Sequence, residues 1–315
     1  MDIVTFLDRG TLPAALRAPR FPNVWREYSL SASNEVTDRI VDATMLITNK
    51  VKLTAQVLAA APALKFVAAC ATGVNHIDLD ACQQRGIAVS NVRDYATTAV
   101  AEHVLMMLLA LSRRMLDYRQ DLRDGAWHAA PGFCLAHHPI RDLSGMTLAV
   151  VGSGALGQGV SRLARAFGMR VWQVERKGAQ AVRDGFVPWE QALHDADAVT
   201  LHCPLTPQTH NLIGAAELRA MKRSAVLINT ARGGLVDEAA LAEALRDGEI
   251  AGAGLDVLSE EPPRPGNRLM ALDLPNLIIT PHNAWTSQAA VASMAEQVIA
   301  NLEAFAAGAP RHRVA

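Results

Sequence analysis

The stretch LAVVGSGALGQGVSRLARAFGMRVWQVE, residues 148–175, decides how the rest of the chain is read. Leu148 to Val151 form an apolar run fit for a buried strand. Gly152, Gly154 and Gly157 follow at once, ahead of a segment with helical spacing. Each glycine has its own task in that geometry. The first permits a tight turn, the second lets backbone approach a pyrophosphate, and the third lets helix and strand pack closely. Unpaired amide N–H groups at the helix start, at the positive end of its dipole, then receive the anion. Ala155 and Leu156 complete this turn and are read with it as cofactor-binding positions. The glycine pattern alone is weak. Here a strand precedes it, a helix follows it, and an acid, Glu175, closes the next strand 18 residues after Gly157. A carboxylate there accepts hydrogen bonds from ribose hydroxyls and repels a 2′-phosphate, which predicts NAD. Arg176 and Lys177 follow directly and could neutralise a phosphate, which keeps NADP as an alternative. A ligand-free glycine turn and a solvated surface acid are the plain readings; the agreement of strand, helix and spacing weighs against both.

Outward from this motif, short β-rich runs alternate with helical ones over nearly the whole chain. A first series has strands at residues 3–7, 45–48, 66–69 and 88–90, with helices at 35–43, 55–60 and 79–85 and Gly86 at a helix end. A second series has six strands, at 147–151, 170–174, 198–202, 225–229, 252–257 and 277–280, with helices starting near Ala155, Pro188, Ala215 and Asp237. Such alternation predicts an α/β fold with doubly wound parallel sheets. A single long helix over 98–118 and a polar stretch over 121–144 separate the two series, another helix covers 288–307, and the last residues, APRHRVA, are expected to fray.

Bulk properties narrow the function. A length of 315 residues suits about two domains, and a hydrophobic fraction of 50% is ample for two cores. A net charge of −1 without any basic block gives no reason to expect nucleic acid or an anionic membrane as partner. The longest apolar run, Val104 to Leu111, is far short of the roughly 20 residues that span a bilayer. Four scattered cysteines suit a reducing compartment, and the N-terminus lacks a cationic region before an apolar one; a soluble cytoplasmic protein is expected.

Ligands of doubly wound sheets bind beyond the carboxyl ends of the strands. Three segments place polar residues there: LINTARGGLVDE with Arg232, GLDVLSEEPP with Asp256 and Glu261, and ITPHNAW with His282. An arginine offers a planar fork to a carboxylate. A carboxylate beside a histidine favours imidazolium, which can protonate a carbonyl oxygen as hydride arrives at its carbon. Taken singly, each residue has a plain reading. Arg232 could touch a phosphate, Glu261 beside Glu260 could be a solvated turn, and His282 could cap a chain end. Periodicity cannot show that the three meet.

NTARGGLVDE, GLDV…EEPP and TPHNAW, with ATGVNHIDL and NVRDYATTAVAEHV earlier, resemble the D-isomer-specific 2-hydroxyacid dehydrogenases. FCLAHHPIRDLSG, HCPLTPQTHNLIG and Trp285 look closest to the bacterial glycerate dehydrogenase (hydroxypyruvate reductase) group. The resemblance covers nearly the whole chain. It implies a flavodoxin-like substrate domain, 1–98 and 286–315, with a Rossmann dinucleotide-binding domain, 99–285, inserted in it and helices 98–118 and 288–307 crossing over. It implies Arg232 as substrate anchor, His282 as acid and base, and Glu261 as its partner. Gly73, Val74 and Asn75 would offer backbone N–H groups to the substrate carboxylate, with Trp285 closing a small pocket. Cys203, Pro204, Thr209, Thr230, Ala231, Asp256 and Ala284 would line the cofactor site with Leu156. The implied activity is NAD-linked reduction of hydroxypyruvate or glyoxylate to the D-2-hydroxy acid in a homodimer. The alternatives are a bulkier keto acid or a non-catalytic nucleotide-sensing scaffold. Asn283 departs from the family, which commonly has an apolar residue after the histidine, and this bears on substrate preference.

Other features carry less. His137 and His138 sit on an expected extended segment, where adjacent side chains diverge, and no third ligand stands at metal spacing; no metal is expected. Cys203 lacks an activating cation in sequence and reads as pocket lining rather than nucleophile. Met106 and Met107 read as a helix's apolar face, and His103 as a satisfied half-buried residue. Trp127 falls in the stretch that the resemblance makes a dimer arm.

Overall fold

In the computed structural model, which describes all residues Met1–Ala315, the chain forms two compact units. The first comprises Met1–Ala96 and Thr286–Ala315, the second Thr97–Trp285. The first begins with β1 (Asp2–Phe6), β2 (Asn23–Glu27), α1 (Val36–Ile40), β3 (Met45–Thr48), α2 (Ala55–Ala59), β4 (Phe66–Ala69), α3 (Leu79–Gln84) and β5 (Ala88–Ser90). Its strands are all parallel, in the order β2-β1-β3-β4-β5. Helix α2 starts where the Thr54 hydroxyl accepts from Val57 N, and α3 where Asp78 accepts from Ala81 N. Gly86, at φ +69°, ends α3 as its position predicts.

Strand β2 was not expected. Its residues, NVWRE, include none that is fully buried, because it lies on the sheet edge and lacks the apolar run that marks an inner strand.

The second unit opens with α4 (Thr97–Ser112) and α5 (Met115–Arg123), followed by β6 (Thr147–Val151), α6 (Ala155–Ala166), β7 (Arg170–Val174), β8 (Phe186–Val187), α7 (Trp189–Asp195) and β9 (Ala198–Leu201). It continues with α8 (Ala215–Ala220), β10 (Val226–Asn229), α9 (Glu238–Arg246), β11 (Gly252–Leu255) and β12 (Leu277–Ile279). The seven strands are parallel in the order β12-β11-β10-β9-β6-β7-β8. The winding reverses between β6 and β9, the point where such sheets bind ligands. Two-residue β8 is again an edge strand, too short to carry a sequence signal.

The single helix expected over 98–118 is two. Arg114 takes φ +54°, and its guanidinium reaches forward to the buried carboxylate of Asp117 at 2.6 Å. Neither glycine nor proline marks the break, so the local sequence gave no warning. Helix α4 packs on α6 and on β11 within this unit.

The chain then returns to the first unit as α10 (Gln288–Ala306), where Phe305 stacks on Phe66 of β4 with ring centroids 4.5 Å apart. The tail does not fray. Val314 N donates to Val89 O at 2.8 Å and Val89 N to Ala315 O at 3.2 Å. β5 would otherwise expose an unpaired edge, and the tail covers it as an antiparallel bridge.

Candidate active site

The loops after β10, β11 and β12, three neighbouring strands of one sheet, carry the residues of interest. After β10, the buried Asn229 side chain clamps its own turn. Its carbonyl accepts from Ala231 N at 3.0 Å and its amide donates to Arg232 O at 2.8 Å. Arg232 thus sits on a fixed backbone, its Nη1 donating to Ala231 O at 2.6 Å. Gly233 follows, and a Cβ there would overlap the Leu258 carbonyl and Ser259 N. Backbone meets backbone here, so the Arg232 turn is seated directly on the strand-end loop that leads to Glu261.

After β11, Asp256 is 1% exposed and organises the next loop. One carboxylate oxygen accepts from the Thr280 hydroxyl at 2.6 Å and Asn283 N at 2.9 Å, and the other from Ala284 N at 2.9 Å. His103 of α4 closes the network from behind, 2.9 Å from Thr280 Oγ1; burial lowers its pKa, partly opposed by the Asp256 charge. The expected satisfied, half-buried His103 is what stands there. Asp256, expected at the cofactor, is also the buried brace of the His282 loop.

His282 adopts φ +52°, a backbone region that costs a non-glycine residue energy and persists only where surroundings impose it. The constraint is visible. His282 N donates to Asp256 O at 2.8 Å, and Trp285 Nε1 donates to His282 O at 2.9 Å. The result aims Nδ1 at Glu261 Oε2, 2.6 Å away. The other oxygen of Glu261 accepts from Leu258 N at 3.0 Å, which fixes the carboxylate. A carboxylate at Nδ1 selects the tautomer and leaves Nε2 to exchange protons. Leu258, Pro262, Met270 and Ile279 form an apolar wall beside the pair.

At the start of α6, Gly152 takes φ +107°, and a Cβ there would come within 2.6 Å of the His202 carbonyl. A Cβ at Gly157 would overlap Gly152 O, while one at Gly154 would meet nothing within 4 Å. No side chain caps this helix. Open space before uncapped amides is the cradle a pyrophosphate fills, and the residues present fit a dinucleotide. Thr230 Oγ1, at the end of β10, is buried with no partner. Ala155 begins α6, Leu156 is half-buried, and Ala231 and Ala284 are buried. Burial raises the Cys203 thiol pKa, in keeping with a lining residue. Thr209 accepts from Thr206 N at 2.7 Å and donates to Pro204 O at 2.7 Å, so it holds its own loop.

Glu175 is 4% exposed at the end of β7. Arg183 meets it with two bonds, of 2.6 and 2.9 Å, and Arg176 N donates to it at 2.9 Å. The Arg183 guanidinium, then that backbone donor, hold its pKa down at about 2. Sequence reading named Arg176 and Lys177 as the neighbouring cations. Lys177 is engaged with Glu217 at 2.8 Å, and the cation beside the acid is Arg183, which no spacing rule pointed to. Asn229 was also missed, although an asparagine at a strand end is a recognised turn former.

Gly73, Val74 and Asn75 belong to the first unit, in the turn after β4. Val74 O accepts from Ile77 N at 2.9 Å, and Asn91 Nδ2 holds Thr72 O at 2.8 Å. His137 and His138 do not diverge. The chain bends at His138 and both rings turn to Asp121.

His202 offers a stability test. Its Nε2 lies 2.9 Å from Thr200 Oγ1, its Nδ1 is buried without a partner, and burial pulls its pKa down to about 4. The unfolded chain takes up this proton near pH ~6.5 and the folded one only near 4, so protonation favours unfolding. Stability attributable to His202 is complete above ~6.5 and falls as pH drops toward 4, by at most ~3 kcal/mol. In urea unfolding across this range, His202→Gln should show a shallower decline than the parent; an equal slope would discount His202 as its source.

The sequence profile described as D-isomer specific 2-hydroxyacid dehydrogenase, NAD binding domain, matches residues 105–284. The glycerate dehydrogenase of Methylorubrum extorquens is 46% identical over 99% of this chain and 98% of its own. The chain belongs to the D-isomer specific 2-hydroxyacid dehydrogenase family. Among solved structures, a Thermus thermophilus protein, TT0316, is 37% identical with a TM-score of 0.84, covering 100% of both chains. A Sinorhizobium meliloti NADPH-dependent glyoxylate/hydroxypyruvate reductase, in complex with NADP and malonate, is 30% identical with a TM-score of 0.81, over 100% of this chain and 97% of that one. The two all-parallel α/β units are those of this dehydrogenase family, and the 105–284 match places its NAD-binding domain within the second unit.

Proposed function

We propose that this dehydrogenase reduces a short 2-keto acid, hydroxypyruvate or glyoxylate, to the D-2-hydroxy acid, reversibly. The observation that carries this reading is the His282–Glu261 pair at 2.6 Å, held by a strained and fully braced backbone at the strand ends. The Gly152–Gly157 cradle would hold NADH, which when bound would supply the hydride for the keto carbon. His282 delivers the proton from Nε2 to the carbonyl oxygen and takes it back at Nε2 in oxidation, while Glu261 at Nδ1 stabilises the imidazolium. Arg232 presents its fork to the substrate carboxylate. Gly73, Val74 and Asn75 are assigned the same carboxylate, and Trp285 the small-substrate pocket, on the family resemblance. The activities named for the relatives agree with a small keto acid. Loss of the NADH absorbance band on adding hydroxypyruvate or glyoxylate tests the reading, and a panel of larger keto acids separates it from the same chemistry on bulkier substrates. Cofactor binding without consumption would support a nucleotide-sensing scaffold instead.

NADH is assigned over NADPH because Glu175 stands at the end of β7, where such folds read the ribose 2′-OH, and its carboxylate is ionised throughout the working pH range. Glu175→Ser is expected to weaken NADH by about tenfold, the worth of one charge-assisted hydrogen bond, and to narrow the NADH/NADPH ratio. In the parent that ratio should be flat between pH 5 and 8. A parent enzyme that prefers NADPH would reverse the assignment.

The homodimer reading has its support on the arm. Met106, Met115, Leu122, Trp127, Phe133 and Ile140, half of the twelve exposed large apolar side chains, fall within residues 106–140. Such a concentration suits a buried partner surface. Free cysteines throughout, and no helix long and apolar enough to cross a membrane, support a cytoplasmic setting.

A further inference from the structure

The side chains of adjacent residues on an extended chain point apart, yet the imidazoles of His137 and His138 converge, with ring centroids 4.3 Å apart. The Nε2 atoms of both rings lie 2.9 Å from the same oxygen, Oδ2 of Asp121. The arrangement is held from below. Tyr118, one turn before Asp121 on α5, donates from its hydroxyl to His138 O at 3.0 Å and accepts from His138 N at 3.3 Å. Its ring stands edge-on to both imidazoles, at 5.8 and 4.9 Å. One helix face and one clamped dipeptide thus bring two ring nitrogens and a carboxylate oxygen within 4.8 Å of one another. None of these residues takes part in the strand-end chemistry.

We propose that Asp121, His137 and His138 form a binding site for a zinc-type divalent transition-metal ion. Two imidazole nitrogens and one carboxylate oxygen are a donor set for zinc, cobalt, nickel or copper rather than for magnesium or calcium, which take oxygen ligands. A tetrahedral ion at ~2.0 Å from each ligand needs them roughly 3.3 Å apart. The two nitrogen–oxygen spacings of 2.9 Å open by a few tenths of an ångström, and the two nitrogens, within 4.8 Å of each other, adjust by rotation of the half-exposed His137 ring. The ion sits between the two Nε2 atoms and Asp121 Oδ2, and water fills the fourth position. His137 is half exposed in the single chain, so an ion can reach the site before the arm meets a partner. The ion's effect is structural. Between α5 and β6 the chain has no helix or strand, and a metal joining His137–His138 to Asp121 staples that arm to α5.

The test is a Co²⁺ titration of the tag-free, full-length protein, read by the visible d–d bands of a four-coordinate ion, with Zn²⁺ competition and Zn²⁺-dependent melting. The proposal expects one ion per chain and a rise in Tm with Zn²⁺. Asp121→Asn and His138→Gln should each weaken binding by more than the roughly 10–100-fold that loss of a supporting group costs, and should abolish the Tm rise. Both variants should keep parental NADH-oxidation turnover, which reports their folding. Half-exposed His137→Gln serves as a third variant if either of these fails to fold. No stoichiometric binding at micromolar Co²⁺ would overturn the site. So would binding that survives these substitutions but disappears in Cys134→Ser or His282→Gln.

Discussion

Replacing His282 with Gln is expected to lower kcat for hydroxypyruvate reduction by about 10³-fold, the scale of a lost general acid. Glutamine can keep a hydrogen bond to Glu261 but cannot give up a proton at the position of Nε2. The loss should appear in kcat and kcat/KM together, since the proton moves only in the transition state. NADH affinity, measured by fluorescence titration, should stay within about twofold because the residue lies outside the Gly152–Gly157 cradle. Arg232→Ala is expected to act differently. It would remove the proposed charge-assisted contact to the substrate carboxylate, which a bound keto acid makes already in the ground state, so KM should rise as well as kcat fall. A His282→Gln enzyme turning over within tenfold of the parent would remove the proposed proton donor, whatever its NADH affinity.

Gly233→Ala should have the second largest effect, although the change is a single methyl group and removes no charged or polar side chain. The added Cβ would overlap the Leu258 carbonyl and Ser259 N, which are backbone atoms and cannot swing aside as a flexible side chain can. Either the Arg232 turn or the loop leading to Glu261 must move. The overlap should cost about 3 kcal/mol, the upper part of the overpacking range. In a unit of this size that corresponds to a Tm fall of roughly 6–12 °C. Displacing reactive groups by about 1 Å costs on the order of 10²-fold in rate, so kcat/KM should drop on that scale even in well-folded protein. Calorimetry and steady-state kinetics on the same sample check both halves. Parental Tm and kcat/KM in Gly233→Ala would mean that the two loops are not mechanically joined.

The inner strands were legible because their residues are buried on both faces and read as apolar runs: Leu148–Val151, Val226–Ile228 and Met45–Ile47. The edges were not. β2 and β8 lack buried faces, and the pairing of the tail with β5 depends on a neighbour hundreds of residues away that local patterning cannot see. The break at Arg114 has the same character, since the ion pair that favours it forms only once the turn exists.

By itself the sequence determined the doubly wound α/β class, the glycine cradle and the strand-end positions of Arg232, Glu261 and His282, because these follow from periodicity and from where such sheets end their strands. Tertiary structure alone decided which side chains meet. It paired Arg183 with Glu175, made Asp256 the brace of the His282 loop, and turned two diverging histidines onto Asp121. Contact between distant residues depends on backbone direction at each strand end, and a one-dimensional pattern records spacing but not direction.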